Sequence, residues 1–158
     1  MDVIIMQSTT SLISQLKTSY PDFSFKKADH FLWSSSEQTI YYISNNHNDS
    51  AFLLHELSHA ILNHSNYSHD VELIAMESKA WDKAIDLGNK YNVQIDGSII
   101  QSTLDTYRDW LHRRSSCPAC TATGIQTGGN SYKCLACNNK WQVNEARLCD
   151  LRRYKITK

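Results

Sequence analysis

His55, Glu56 and His59 stand in the order H-E-x-x-H, and Cys117, Cys120, Cys134 and Cys137 form two C-x-x-C pairs separated by 13 residues. These are the residues whose types and spacing carry the most chemistry. On a helix four residues advance about 400°, so His55 and His59 point the same way one turn apart, and both imidazoles can bind one zinc ion. Glu56 lies about 100° round from His55, where it reaches a zinc-activated water rather than the zinc. Zinc lowers the pKa of such a water toward about 7. Glu56 can take that proton and hand it to a leaving amine, which is the chemistry of amide hydrolysis. The two cysteine pairs predict a second, closed site in which four thiolates hold a structural zinc. The expected cofactors are therefore two zinc ions per chain, one catalytic and one structural.

A catalytic zinc needs a third protein ligand and one open position. The metzincin spacing would put glycine at position 62 and histidine at 65, but the chain has Leu62 and Ser65. His64 lies about 140° from His59 on a continuous helix, so it reaches the zinc only if the helix ends first. His69 sits in an expected loop and is free of that limit. Glu72 and Glu77 lie on the next expected helix, five residues apart, and cannot both face one point. Tyr67, Tyr91, Tyr107, His64 and His69 are candidates for stabilising an oxyanion.

The elements that must position these residues are legible in part. A helix with Ile5, Leu12, Ile13 and Leu16 on one side is followed by a turn at Tyr20-Pro21-Asp22. Phe23 and Phe25 alternate with polar residues, and segments 30–33 and 39–43 flank a polar run as in a hairpin. The strand 39–43 reads either as an edge to which a peptide adds or as an internal strand. Residues 51–64 read as the H-E-x-x-H helix, buried through Phe52, Leu53, Leu54, Leu57, Ala60, Ile61 and Leu62. A second helix starts near Asp70 and runs to Gly88, with Val71, Ile74, Trp81 and Ile85 at helical spacing. A third starts near Ser98 and carries Ile100, Leu104, Tyr107 and Leu111. Beyond it, residues 121–133 read as a hairpin and 140–143 as a returning strand, the arrangement of a zinc ribbon.

The motif His55-Glu56-Leu57-Ser58-His59-Ala60-Ile61-Leu62-Asn63-His64, followed by Glu77-Ser78-Lys79-Ala80-Trp81-Asp82-Lys83-Ala84, resembles the ImmA/IrrE family of gluzincin metallopeptidases. The resemblance covers roughly residues 20–90. It implies His55, His59 and Glu77 as zinc ligands, Glu56 as catalytic acid/base, and regulated cleavage of a transcriptional repressor. Lys79 and Trp81 depart from that family's pattern; Trp81 stands where an Asp or Asn often orients a zinc-bound histidine. The order of an H-E-x-x-H domain and then a ribbon is also similar to SprT-like proteases, which degrade proteins crosslinked to DNA. That family takes a third histidine followed by glycine, whereas His69 here is followed by Asp70.

The whole chain of 158 residues has 16 Lys and Arg against 16 Asp and Glu, a net charge of zero. That balance excludes a binder of polyanions along its entire surface. It conceals a split: residues 1–111 carry 7 basic and 14 acidic residues, and residues 112–158 carry 9 and 2. All five cysteines, with Cys149 left over, fall in the basic part. Lys133, Lys140, Arg152 and Arg153 are the candidate contacts to DNA or RNA there. Arg113, Arg114, Arg147, Lys155 and Lys158 add to the charge, and Tyr132, Trp141 and Tyr154 are interleaved for base stacking. The expected architecture is α+β. A zincin-like, minimal gluzincin domain at 1–112, with a small antiparallel sheet and active-site helix, precedes a basic ribbon at 113–158. The expected function is zinc-dependent hydrolysis of a protein or peptide, with the ribbon targeting nucleic acid or a protein partner. A nucleic-acid-binding regulator on a non-catalytic peptidase scaffold is the reading from a second class. No secretory signal or membrane span is expected, so reduced thiols and a cytoplasmic location follow.

Overall fold

The computed structural model describes residues 8–145 and 153–155. Ile5, Arg147, Cys149, Arg152 and Lys158 lie outside the described residues. The described chain divides into two compact units, each α+β. One takes the residues up to Ser65 together with Met76–Ile100. The other takes Asn66–Ala75 together with the residues from Gln101 onward. This division does not follow the charge boundary near residue 112, because Asp70 pairs with Arg114 and Tyr132 across long stretches of sequence.

The first unit begins with α1 (Thr9–Ser19), capped by Ser8, whose hydroxyl accepts the Ser11 N–H at 3.3 Å. Its apolar stripe Leu12, Ile13 and Leu16 is buried. Strands β1 (Ser24–Lys27), β2 (Leu32–Ser34) and β3 (Thr39–Tyr42) form a sheet in the order β1-β3-β2. The expected hairpin is β2–β3, antiparallel, with Trp33 opposite Ile40. Gln38 turns the chain there with φ 49°. β1 differs from expectation: it pairs β3 in parallel, Phe25 opposite Ile40, so the sheet is mixed. β3 is thereby the central strand, and the edge reading of 39–43 is corrected; β1 and β2 hold the edges. Helix α2 (Asp49–Ile61) packs on β2 and β3 and carries both motif histidines on its buried side.

Helix α3 (Asp70–Tyr91) is three residues longer at its end than the expected span. Its buried stripe also differs: Leu73, Glu77, Ala80, Trp81, Ala84, Leu87 and Tyr91 face inward, whereas Val71 and Ile85 are exposed. That stripe keeps i, i+3/i+4 spacing and includes a carboxylate; of the expected apolar residues Trp81 lies in it, Ile74 is half-buried, and Val71 and Ile85 lie outside it. Helix α4 (Gly97–Ser115) buries Ile100, Leu104 and Trp110. Among the described residues, no helix is long and apolar enough to cross a membrane.

The second unit carries β4 (Ile125–Gly128), β5 (Ser131–Lys133), β6 (Lys140–Val143) and β7 (Arg153–Lys155), antiparallel throughout in the order β4-β5-β6-β7. Gly124 lets the chain pass against the Trp141 ring; a Cβ there would also stand 2.8 Å from the Lys133 carbonyl. Arg114 and Asp70 form a fully enclosed pair, with Arg114 Nε donating to Asp70 Oδ2 at 2.7 Å and each side chain 3% exposed. Tyr132 donates its hydroxyl to the same carboxylate, and Arg114 also reaches the Asn144 carbonyl and Asn130 Oδ1. Asp70→Ala leaves the Arg114 charge buried without its counter-ion and is expected to destabilise this unit by about 3–5 kcal/mol. Urea unfolding measures it; a loss below about 1 kcal/mol, the worth of an exposed pair, would contradict the enclosed arrangement.

Candidate metal centres

His55, His59 and Glu77 converge inside the first unit. His55 Nε2 lies 3.0 Å from Glu77 Oε2, His59 Nε2 lies 3.1 Å from His55 Nε2, and His59 Nε2 lies 3.5 Å from Glu77 Oε1. All three residues are buried. Atoms about 2.0–2.1 Å from a zinc ion at the corners of a tetrahedron stand about 3.3 Å apart, so this triangle has the dimensions of one face of such a site. Two neutral imidazoles and a carboxylate are also a donor set that suits zinc. Burial would raise the Glu77 carboxyl, but hydrogen bonds from His55 and His59 override it and hold it down at about 2. The carboxylate therefore stays charged and ready to accept a cation.

The two histidines are held differently. The His55 ring lies on the Trp81 indole, centroids 4.1 Å apart and planes 24° apart. Its Nδ1 is buried without a hydrogen-bond partner among the described residues. His59 Nδ1 instead meets His64 Nδ1 at 2.8 Å. His64 is drawn below its ordinary value by burial and then by the nearby His59.

Glu56 stands one residue beyond His55 on α2, half-buried. Its Oε2 accepts the backbone N–H of Trp33 on the edge strand β2 at 2.7 Å. Burial raises its carboxyl, with the negative Glu77 adding to the rise and His55 and His59 opposing it. A glutamate so placed, beside but outside the triangle of donors, can exchange a proton with a molecule bound there.

The remaining candidates sit elsewhere. His69 is exposed with Nδ1 3.6 Å from Glu72 Oε1, and it is not among the converging donors. Glu72 caps the start of α3, accepting the Ser68 N–H at 2.7 Å and the His69 N–H at 3.3 Å. Tyr91 belongs to a separate cluster with Lys90, whose Nζ stands 5.0 Å from its ring centroid. Tyr67 and Tyr107 belong to the second unit.

Cys117, Cys120, Cys134 and Cys137 also converge, with Cys117 Sγ 3.7 Å from Cys137 Sγ and Cys120 Sγ 3.5 Å from Cys134 Sγ. A disulfide would need about 2.05 Å. Sulfurs about 2.3 Å from a zinc ion at tetrahedral corners stand about 3.8 Å apart, close to what is seen. The two knuckles share one backbone pattern. Cys117 N–H donates to the Ala122 carbonyl and Thr121 N–H to the Cys117 carbonyl; Cys134 N–H donates to Asn139 and Asn138 N–H to Cys134. Thr121 and Asn138, each just past the second cysteine of its pair, both have positive φ, 65° and 60°. Burial pushes the Cys117 thiol up, but N–H groups of Ala119 and Cys120 bring it down to about 6. Cys120 receives the Ala122 N–H, yet its thiol neighbours, led by Cys134, push it up to about 12. Thiolates this close repel one another, and a cation between them offsets that repulsion.

The expected nucleic-acid contacts are only partly available. Lys140 and Arg153 are exposed and Lys133 is half-exposed, with Lys133 directly opposite Lys140 across β5 and β6. Arg152 lies outside the described residues. Tyr132 and Trp141 are 2% and 0% exposed and stack on one another in the core, so base stacking by them is corrected. Arg114 is likewise enclosed by Asp70 rather than presented to a partner. Comparison with family models, curated proteins and solved structures finds no match.

Proposed function

We propose that this chain is a cytoplasmic zinc metallopeptidase of the gluzincin type, with a zincin-like catalytic unit and a zinc ribbon that targets it. The observation that carries the reading is the convergence of His55, His59 and Glu77 with Glu56 beside them. His55 and His59 would hold zinc through Nε2, and Glu77 through its carboxylate. When bound, the zinc supplies a Lewis acid for the scissile carbonyl and lowers the pKa of an attacking water. Glu56 would receive the proton of the attacking water and deliver it to the departing amine nitrogen. Trp33 N–H holds the Glu56 carboxylate while it does so. The buried Trp81 face keeps water from the far side of His55.

Resemblance to the ImmA/IrrE family makes a transcriptional regulator the proposed substrate. The SprT-like reading draws its third ligand from His69, and the position of Glu77 between the two histidines favours the gluzincin one. The ribbon would reach phosphate through Lys133, Lys140 and Arg153, without stacking by Tyr132 or Trp141.

Metal content tests the reading first. The wild type is expected to bind two zinc ions and Glu77→Ala one, with the four-cysteine site retained and hydrolysis of an unfolded protein lost. Two ions in Glu77→Ala, or one in the wild type, would exclude this centre.

A further inference from the structure

The last turn of α2 reverses the chain. Asn63 takes φ 53°, its N–H donates to the Ala60 carbonyl at 3.1 Å, and His64 N–H donates to the His59 carbonyl at 2.9 Å. This is a Schellman closure with asparagine in the left-handed position. A helix that continued would carry His64 about 140° away from His59. The reversal folds it back until the two Nδ1 atoms are 2.8 Å apart. The Trp33 indole N–H, donating to the His64 carbonyl at 3.0 Å, pins the returned loop.

We infer that His64 is a positioning residue for the His55–His59–Glu77 centre, accepting the Nδ1–H of His59 and so fixing the orientation of that ring toward its metal. The inference rests on the reading that this centre holds a metal ion. An imidazole that offers Nε2 as a ligand carries its proton on Nδ1, and that proton needs an acceptor. The acceptor is usually a carboxylate or a carbonyl. Among the described residues, the group seen against His59 Nδ1 is the ring nitrogen of His64, which must then carry its own proton on Nε2. His55 has no equivalent, since the Trp81 face holds its ring and its Nδ1 is unpartnered among the described residues.

The test is cobalt(II) binding to the metal-free full chain in competition with a chelator. Thiolate-to-cobalt charge-transfer absorption reports the four-cysteine site, and ligand-field absorption without it reports the histidine–glutamate site. His64→Leu is expected to weaken the second site about 10–100-fold and leave the first unchanged. His64→Asn, whose amide oxygen can accept the same N–H, is expected to stay within about threefold of wild type. Equal losses in both variants would overturn the inference, because bulk rather than an acceptor would then matter; so would unchanged affinity in His64→Leu. A wild type that takes up cobalt only at the cysteines sinks this inference together with the peptidase reading. Two bound ions with an indifferent His64→Leu sink this inference alone.

Discussion

Glu56→Gln is expected to lower peptide hydrolysis by about 10²–10⁴-fold and to leave two metal ions bound. The substitution keeps an oxygen for the Trp33 N–H, so the contact that orients the side chain survives. What it removes is the capacity to take and return a proton. The raised carboxyl of Glu56, caused first by burial and then by Glu77, makes the base form available only above the range of an exposed glutamate. Hydrolysis should therefore fall as pH drops through that raised value, an acid limb displaced upward from the ordinary glutamate range. The measurement is turnover against pH, with metal content determined on the same samples. Retained hydrolysis in Glu56→Gln would exclude the residue as the base, and a lost metal would make it a ligand instead.

Cys134→Ser is expected to unfold the ribbon outright. The buried cluster there consists of Cys117, Tyr132, Cys134, Trp141 and Val143, with Ala122 packed against it. Two of those five are themselves members of the four-cysteine group. Three apolar side chains cannot offset the conformational entropy of the module, whereas a structural zinc contributes an apparent ~10–16 kcal/mol. Chelation should do the same to the wild type. The readouts are rapid proteolysis between residues 116 and 145 and loss of the dispersed indole resonance of Trp141, whose Nε1 now donates to the Arg114 carbonyl at 2.9 Å. A protected, dispersed Trp141 in metal-free protein would contradict a metal-dependent fold.

The parts of these centres that sequence reveals are those whose partners lie close along the chain. His55, Glu56 and His59 fall within one helical turn or so, and each cysteine pair closes over six residues, so type and spacing were sufficient. Glu77 needed more. The resemblance implied it; its sign in the sequence itself is a carboxylate set into the i, i+3/i+4 series of Leu73, Ala80, Trp81, Ala84 and Leu87, of which the apolar spacing picks out Trp81 alone. His64 was hidden because its place depends on a left-handed Asn63 and a pinned loop rather than on helical periodicity. The parallel pairing of β1 with β3 was equally hidden, since only the neighbouring hairpin has a local turn. Asp70 finds its partners 44 and 62 residues away, and no pattern along the chain announces that distance.

The twin knuckles bear on how quickly a metal ion can be captured. Each loop closes through hydrogen bonds between residues no more than five positions apart. Closing a loop so short is fast and has little entropic cost compared with bringing the two halves together. An unfolded chain therefore presents two equivalent half-sites, each with two sulfurs, before any strand has paired. An ion caught by either half holds the other at high effective concentration. Assembly can start from either end of the ribbon, and release must undo two chelates in succession, so exchange with a competing thiol buffer should proceed through a half-held intermediate.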